Sequence, residues 1–161
     1  MSPAQKGLVQ TSWCTIMPNA DGVALLFYHR LFATVPATRA LFANVNVRLQ
    51  SKKLIDALTA VVNSLDEFER VAPTLSALGK RHASYGVEDD HYDAVGAVLL
   101  WALEQTLADL WTNELKVAWT NAYATVAHAM REAARTSVPI IAEDQLDRPD
   151  QPYISNSQQE D

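Results

Sequence analysis

His82 is the residue of this chain whose type and setting most directly suggest chemistry. It follows Leu75 and Leu78 at helical spacing, so the three side chains share one face of a helix. A neutral imidazole nitrogen is the commonest side-chain ligand for a metal ion. A single histidine among leucines is more often a core or surface residue, however, so this pattern alone does not establish a metal site.

Helices must position this histidine, and the prolines mark where helices begin. Prolines stand at positions 3, 18, 36 and 73 and then not before 139, and proline is tolerated in the first turn of a helix but breaks its interior. Ser2, Pro3 and Gln5 form a capping-box pattern that predicts a first helix running to Pro18. The predicted inward face of this helix carries Leu8, Thr11, Ser12 and Ile16.

The apolar spacing predicts that the rest of the body is helical as well. Helices are expected over about 19–32, from near 49, from 73 through His82, over about 90–110 and over about 112–135. A short turn is expected over 36–42 and a loop over 43–49. No stretch alternates apolar and polar residues in the way that a half-buried strand does.

Composition and charge restrict the class of protein. The 161 residues are 48% hydrophobic, enough for the core of one domain, which we assign to 1–137. Six acidic residues and only one basic residue fall in 138–161, which we predict to be an acidic, disordered tail. The body then holds 12 basic and 13 acidic residues with no dense basic patch, which argues against nucleic acid as a partner.

The sequence also bears on where the protein works. No run approaches the roughly 18 apolar residues of a membrane span, and the N-terminus lacks a signal-peptide pattern. The single cysteine, Cys14, cannot form an internal disulfide, which fits a reducing compartment. We therefore expect a cytoplasmic protein without a membrane partner, in which Cys14 is a small core residue.

Four segments carry a resemblance to a known family: FYHRLFATVPATRALF, LGKRHASYGV, HYDAVGAVLL and AWTNAYATVA. Their order and spacing resemble those of bacterial single-domain globins of the flavohaemoglobin lineage, over roughly residues 3–134. The resemblance implies an all-α, globin-like fold of about six to eight helices around a haem pocket, with haem b as the cofactor. It also implies that His82 is the proximal ligand of the haem iron. The other ring nitrogen then needs an acceptor, and the Leu78 carbonyl lies within plausible reach one helical turn back.

The resemblance further implies which residues face the bound gas. Tyr28 matches the distal tyrosine of the second helix, and Gln50 matches a glutamine that replaces the more familiar distal histidine. Both side chains carry hydrogen-bond donors that would stabilise a bound gas with partial negative charge. The short loop from Phe42 to Gln50 varies in length between relatives, so a slip of one position would put Leu49 or Ser51 there instead.

Other residues are implied to surround the haem. Phe42 matches the phenylalanine that wedges the haem, Leu54 would cover the iron one turn after Gln50, and Tyr92 matches a tyrosine close to the proximal histidine. The remaining implied contacts are Leu78, Val87 and Val95 against the porphyrin, and Lys53 or Arg81 beside a propionate. Where the family has a glutamate on its last helix this chain has Ala134, which weakens the expectation of peroxidase-like activation.

These implied residues point to a haem protein that binds dioxygen and other diatomic gases, including nitric oxide and carbon monoxide, reversibly and with high affinity. Such a protein can also support conversion of nitric oxide to nitrate. The chain has no G-x-G-x-x-G pattern, so a separate reductase is expected, and an oxygen-binding protein is favoured over a self-sufficient enzyme. Two alternatives stay open: a haem-based gas or redox sensor that acts through a partner protein, and a haem-free helical module that only binds proteins.

Overall fold

Six α-helices account for most of residues 1–136, which are the residues that the computed structural model describes. The helices are α1 (Pro3–Ile16), α2 (Ala20–Thr34), α3 (Val47–Asn63), α4 (Ala72–Ser84), α5 (Asp89–Leu107) and α6 (Asn113–Thr136). Short 3₁₀ helices cover Met17–Asn19, Pro36–Phe42, Phe68–Arg70 and Ala108–Leu110. Residues 1–136 contain no β-strand, which confirms the predicted all-α class. Within the same residues, no helix combines the length and the hydrophobicity that a membrane span requires. The predicted acidic tail, 138–161, lies outside the described residues.

Short-range hydrogen bonds set where helices begin. At the start of α1 the Ser2 hydroxyl accepts from the Gln5 N–H and the Gln5 side chain accepts from the Ser2 N–H, which confirms the predicted capping box. α3 begins at Val47 rather than near position 49, because the Asn46 side chain accepts hydrogen bonds from two N–H groups of its first turn. Part of the predicted loop is therefore the first turn of a helix.

α5 ends at Leu107, three residues before its predicted end. The next residue, Ala108, has a φ of 47°, a left-handed conformation that non-glycine residues rarely adopt and that cannot continue a right-handed helix. The chain then turns through Ala108–Leu110, and α6 starts at Asn113.

α1 packs on α6 through two tryptophans. The ring centroids of Trp13 and Trp119 are 5.9 Å apart, and Trp119 Nε1 donates to the buried Ser12 hydroxyl oxygen at 3.0 Å. The buried face of α1 therefore consists of Val9, Ser12, Trp13 and Ile16. The predicted face was wrong for Leu8 and Thr11, which are exposed.

Cys14 is exposed, so the prediction that it is a small core residue was wrong. Successive residues of an α-helix point about 100° apart. Ser12 and Trp13 together form the buried face here, so the next side chain, about 100° further around the helix, points outward.

α4, which carries His82, lies very close to α6. A Cβ atom at Gly79 would collide with the Met130 carbonyl oxygen, so the contact leaves no space for a side chain there. Because Gly79 is in the turn before His82, this close approach fixes the end of α4 against α6.

Candidate functional site

His82 lies in the last turn of α4, where it is half-buried. Its Nδ1 is 2.9 Å from the Leu78 carbonyl oxygen, and we assign the ring proton to Nδ1 because that atom can then donate to the oxygen. Nε2 keeps its lone pair and is available to a metal. Burial lowers the pKa of His82, the Leu78 hydrogen bond opposes this shift, and the charge of Arg81 adds to it. The imidazole is therefore neutral near pH 7, the form that binds a metal.

Tyr28 of α2 is 4% exposed and lies in a cluster of aromatic rings. The ring centroids of Phe27, Phe42 and Phe32 are 5.0, 5.6 and 5.9 Å from that of Tyr28. Phe32 and Phe42 also pack edge to face, with their centroids 5.5 Å apart. Phe42 belongs to the 3₁₀ helix Pro36–Phe42, so the cluster holds the Tyr28 ring between this segment and α2.

The Tyr28 hydroxyl interacts with the side chain of Gln50 from α3. Burial raises the pKa of Tyr28 to about 12, and a hydrogen bond with the Gln50 side chain offsets part of this rise. Tyr28 is thus a neutral phenol at physiological pH and can donate a hydrogen bond. Of the three candidates for this position, Leu49 is 61% exposed, and the buried Ser51 Oγ has no hydrogen-bond partner among residues 1–136. The Gln50 side chain is the one that interacts with the Tyr28 hydroxyl.

Five apolar side chains that the resemblance assigned to a haem pocket are neither fully buried nor exposed. They pack against the core and keep part of their surface uncovered: Phe42, Leu54, Leu78, Val87 and Val95. Phe42 contacts the Tyr28 ring, and the Leu78 carbonyl accepts from His82 Nδ1, so two of the five residues lie directly beside the two polar residues. A partly covered apolar surface with a few polar groups is what a flat, largely apolar cofactor requires. Together with the free Nε2 of His82, these residues fit a haem.

Comparison with known proteins identifies the family. Residues 25–130 match the globin family. The chain belongs to the globin family. It is 32% identical over 137 residues to anaerobic nitrite reductase NSHB5 of Oryza sativa subsp. indica, across 81% of this chain and 94% of that protein. It is 29% identical over 143 residues to neuroglobin of Danio rerio, across 81% of this chain and 90% of the neuroglobin.

A third relative is a longer protein. The flavohemoprotein of Bacillus subtilis is 26% identical over 124 residues, which are 76% of this chain but 31% of the flavohemoprotein. These relatives come from a plant, an animal and a bacterium, so the matches identify the globin family as a whole. This globin is a haem protein, as the sequence predicted, and globins bind diatomic gases such as oxygen.

The two basic residues of the globin that were predicted beside a haem propionate are exposed. Lys53 and Arg81 form no ion pair with any residue in 1–136, whereas the neighbouring Lys52 pairs with Asp56 at 2.6 Å. Both charges are therefore open to an anionic group, and the propionate contact stays a prediction.

The other three histidines of the globin have different surroundings. His29 and His128 are exposed. His91 Nδ1 accepts a hydrogen bond of 2.9 Å from the Glu88 N–H at the start of α5, which makes it part of a helix cap. The sequence interpretation of His91 and His128 as structural or surface residues is confirmed.

Tyr92 of α5 stacks on His82, and it therefore lies close to this histidine, as the resemblance implied. The two ring centroids are 6.4 Å apart and the ring planes are inclined by 27°. The Tyr92 carbonyl accepts a hydrogen bond of 2.5 Å from the Tyr123 hydroxyl. The Tyr123 ring in turn lies so close to Gly96 that a Cβ atom at Gly96 would collide with it. α6 thus holds the backbone of α5 beside His82.

Sequence reasoning missed Arg131 of α6. Its guanidinium carbon is 5.2 Å from the centroid of the Tyr92 ring, and its Nη2 is 2.6 Å from Asp93 Oδ1. The Arg131–Asp93 pair spans 38 positions, so no local spacing could reveal it. Glu132, the acid nearest to the family glutamate position, pairs instead with Arg135 at 2.7 Å.

Proposed function

We propose that this globin binds dioxygen reversibly and with high affinity, and that it also binds carbon monoxide and nitric oxide. The observation that supports this proposal is the buried, neutral Tyr28 phenol with the Gln50 amide beside it. In a protein whose His82 leaves Nε2 free, this pair supplies the donors that a bound gas needs.

His82 would hold the haem iron through Nε2. Haem supplies an iron that binds a diatomic gas when it is reduced. The Nδ1–H bond from His82 to the Leu78 carbonyl fixes the tautomer and limits rotation of the ring. The half-buried Phe42, Leu54 and Val95 would cover the faces of the haem and exclude water from them.

Tyr28 and Gln50 would hold the gas. Each carries a hydrogen-bond donor, and a bound gas with partial negative charge attracts donors strongly where little water competes. Each such hydrogen bond contributes about 1–3 kcal/mol. Two of them acting together would slow release of dioxygen and thereby raise the affinity.

We also propose a finer classification, as a cytoplasmic single-domain globin of the flavohaemoglobin lineage. The segments around His82 and Tyr92 and the similarity to a bacterial flavohemoprotein support the lineage. The single cysteine of the chain supports a reducing compartment.

We further propose that the globin supports conversion of nitric oxide to nitrate. One nitric oxide, one dioxygen and one electron give one nitrate ion, so turnover consumes one electron from a donor. We propose that a separate reductase supplies this electron. Nitrate formed in a one-to-one ratio with nitric oxide consumed, and only while a reductant is supplied, would support this activity. Consumption that yields no nitrate would exclude it.

A spectroscopic experiment tests gas binding. The full chain is loaded with haemin, reduced, and taken through alternating dioxygen and argon while its visible spectrum is recorded. We expect the wild type and the His128→Ala control to cycle reversibly, and His82→Ala to lose the normal Soret band. A wild type that shows no Soret band with excess haemin would overturn the proposal and favour the haem-free module.

A further inference from the structure

We infer that Arg131 of α6 is a positioning residue for the proximal histidine. It fixes the ring of Tyr92, and the Tyr92 ring in turn fixes the ring of His82. This inference rests on the proposal that His82 holds the haem iron.

Arg131 is held firmly to α5, the helix that carries Tyr92. Its Nη2 donates to Asp93 Oδ1 at 2.6 Å and to the Asp89 carbonyl oxygen at 2.8 Å. Its Nε lies 3.7 Å from Asp89 Oδ1. The Arg131 side chain is 23% exposed, whereas the Asp89 and Asp93 side chains are 58% and 77% exposed. The guanidinium is therefore more covered than the carboxylates that pair with it, and having several partners at once restricts its movement more than a single surface ion pair would.

The same guanidinium lies over the aromatic ring of Tyr92. Its carbon is 5.2 Å from the ring centroid, which is within the range of a cation–π interaction. The Tyr92 backbone is already held, because its carbonyl oxygen accepts a hydrogen bond from the Tyr123 hydroxyl. What Arg131 adds is therefore control of the Tyr92 ring, while its own charge is balanced by Asp89 and Asp93.

The orientation of the Tyr92 ring matters because that ring stacks on His82. The hydrogen bond from Nδ1 to the Leu78 carbonyl fixes one point of the imidazole but allows the ring to tilt about it. A neighbouring ring at 6.4 Å, with its plane inclined by 27°, restricts that tilt only if it is itself held. Groups that contact a ligand residue but not the metal commonly set its orientation. Arg131 would thus act on the iron–histidine bond without touching the haem.

Four variants of the haem-loaded full chain test the inference. Arg131→Met keeps a side chain of similar length without charge, and Arg131→Lys keeps a cation that can return over the ring. Asp93→Asn weakens the hold on Arg131 with little change of shape. Arg135→Met is the matched control, because Arg135 is on the same helix and pairs with Asp89 at 2.7 Å, but is not in contact with the Tyr92 ring. The readouts are the iron–histidine stretching band in resonance Raman spectra of the ferrous protein, the rate of haem loss, and the midpoint of thermal unfolding.

We expect Arg131→Met to broaden and shift the iron–histidine band and to speed haem loss by about three- to thirtyfold. Asp93→Asn should do the same to a smaller degree, Arg131→Lys should recover most of the wild-type band, and Arg135→Met should leave the band unchanged. An unchanged band in both Arg131→Met and Asp93→Asn would overturn the inference, even if both unfold at lower temperature. A band altered equally by Arg135→Met would also overturn it. A wild type without an iron–histidine band would instead refute the assignment of His82, and the inference with it.

Discussion

Replacement of Tyr28 by phenylalanine isolates the contribution of one hydroxyl group. Phenylalanine keeps the ring among Phe27, Phe32 and Phe42, so the aromatic cluster should survive the change. The variant lacks the O–H that would donate to the bound gas and that interacts with the Gln50 side chain. A hydrogen bond of about 1–3 kcal/mol then corresponds to dioxygen release that is about 5- to 150-fold faster.

Stopped-flow displacement of dioxygen by excess carbon monoxide measures that release rate directly. Tyr85→Phe is the matched control, because Tyr85 is 65% exposed and should leave the rate unchanged. Gln50→Leu and the double variant complete a cycle, and since the two side chains interact, their effects should not simply add. A Tyr28→Phe rate within twofold of the wild type would refute the role of the phenol as a donor to the gas.

Two further predictions concern packing and pH. Gly79→Ala should lower the free energy of unfolding by about 1–3 kcal/mol, because the new Cβ would meet the Met130 carbonyl. Gly7→Ala should instead raise the free energy of unfolding by about 0.5–1 kcal/mol, because no atom lies within 4 Å of the new Cβ and alanine favours a helix more than glycine does. Urea unfolding of both variants checks this, and equal effects would contradict the close α4–α6 contact. Burial raises the pKa of Tyr28 from 10.0 to about 12, so the folded protein favours the neutral phenol more than the unfolded chain does. The contribution of this phenol to the free energy of unfolding should therefore be fully present below pH 10 and lost as the pH rises through about 12. Unfolding of wild type and Tyr28→Phe across this range measures the effect, and a loss already complete at pH 9 would show that the phenol is not buried as described.

The helices were largely predictable because their signals are local. The Ser2–Gln5 cap lies within four residues, and the sequence shows it directly. The start of α3 was predicted too late because residues 43–49 were interpreted as a loop, whereas Asn46 caps a helix that begins at Val47. The buried face of α1 was partly wrong because burial of Trp13 against α6 is a tertiary effect that the spacing of Leu8 and its neighbours does not encode.

The site was predictable only where the resemblance to globins supplied a position. Tyr28 and Gln50 could be named in advance, but only the fold brings the two side chains together, since α2 and α3 are separated by a 3₁₀ helix and a loop. Arg131 could not be named, because its contacts with Asp93 and Tyr92 arise from packing of α6 on α5. Local pattern thus predicts which elements form, whereas contacts between distant helices determine how the residues around His82 are held.

Ligation of the iron by His82 is tested most directly by the iron–histidine stretching band of the reduced His82→Gly variant, recorded without and with added imidazole. If Nε2 of His82 binds the iron, the band is absent from this variant and returns when imidazole fills the space left by the side chain. A band that persists in His82→Gly without imidazole would show that another residue holds the iron and would contradict the account.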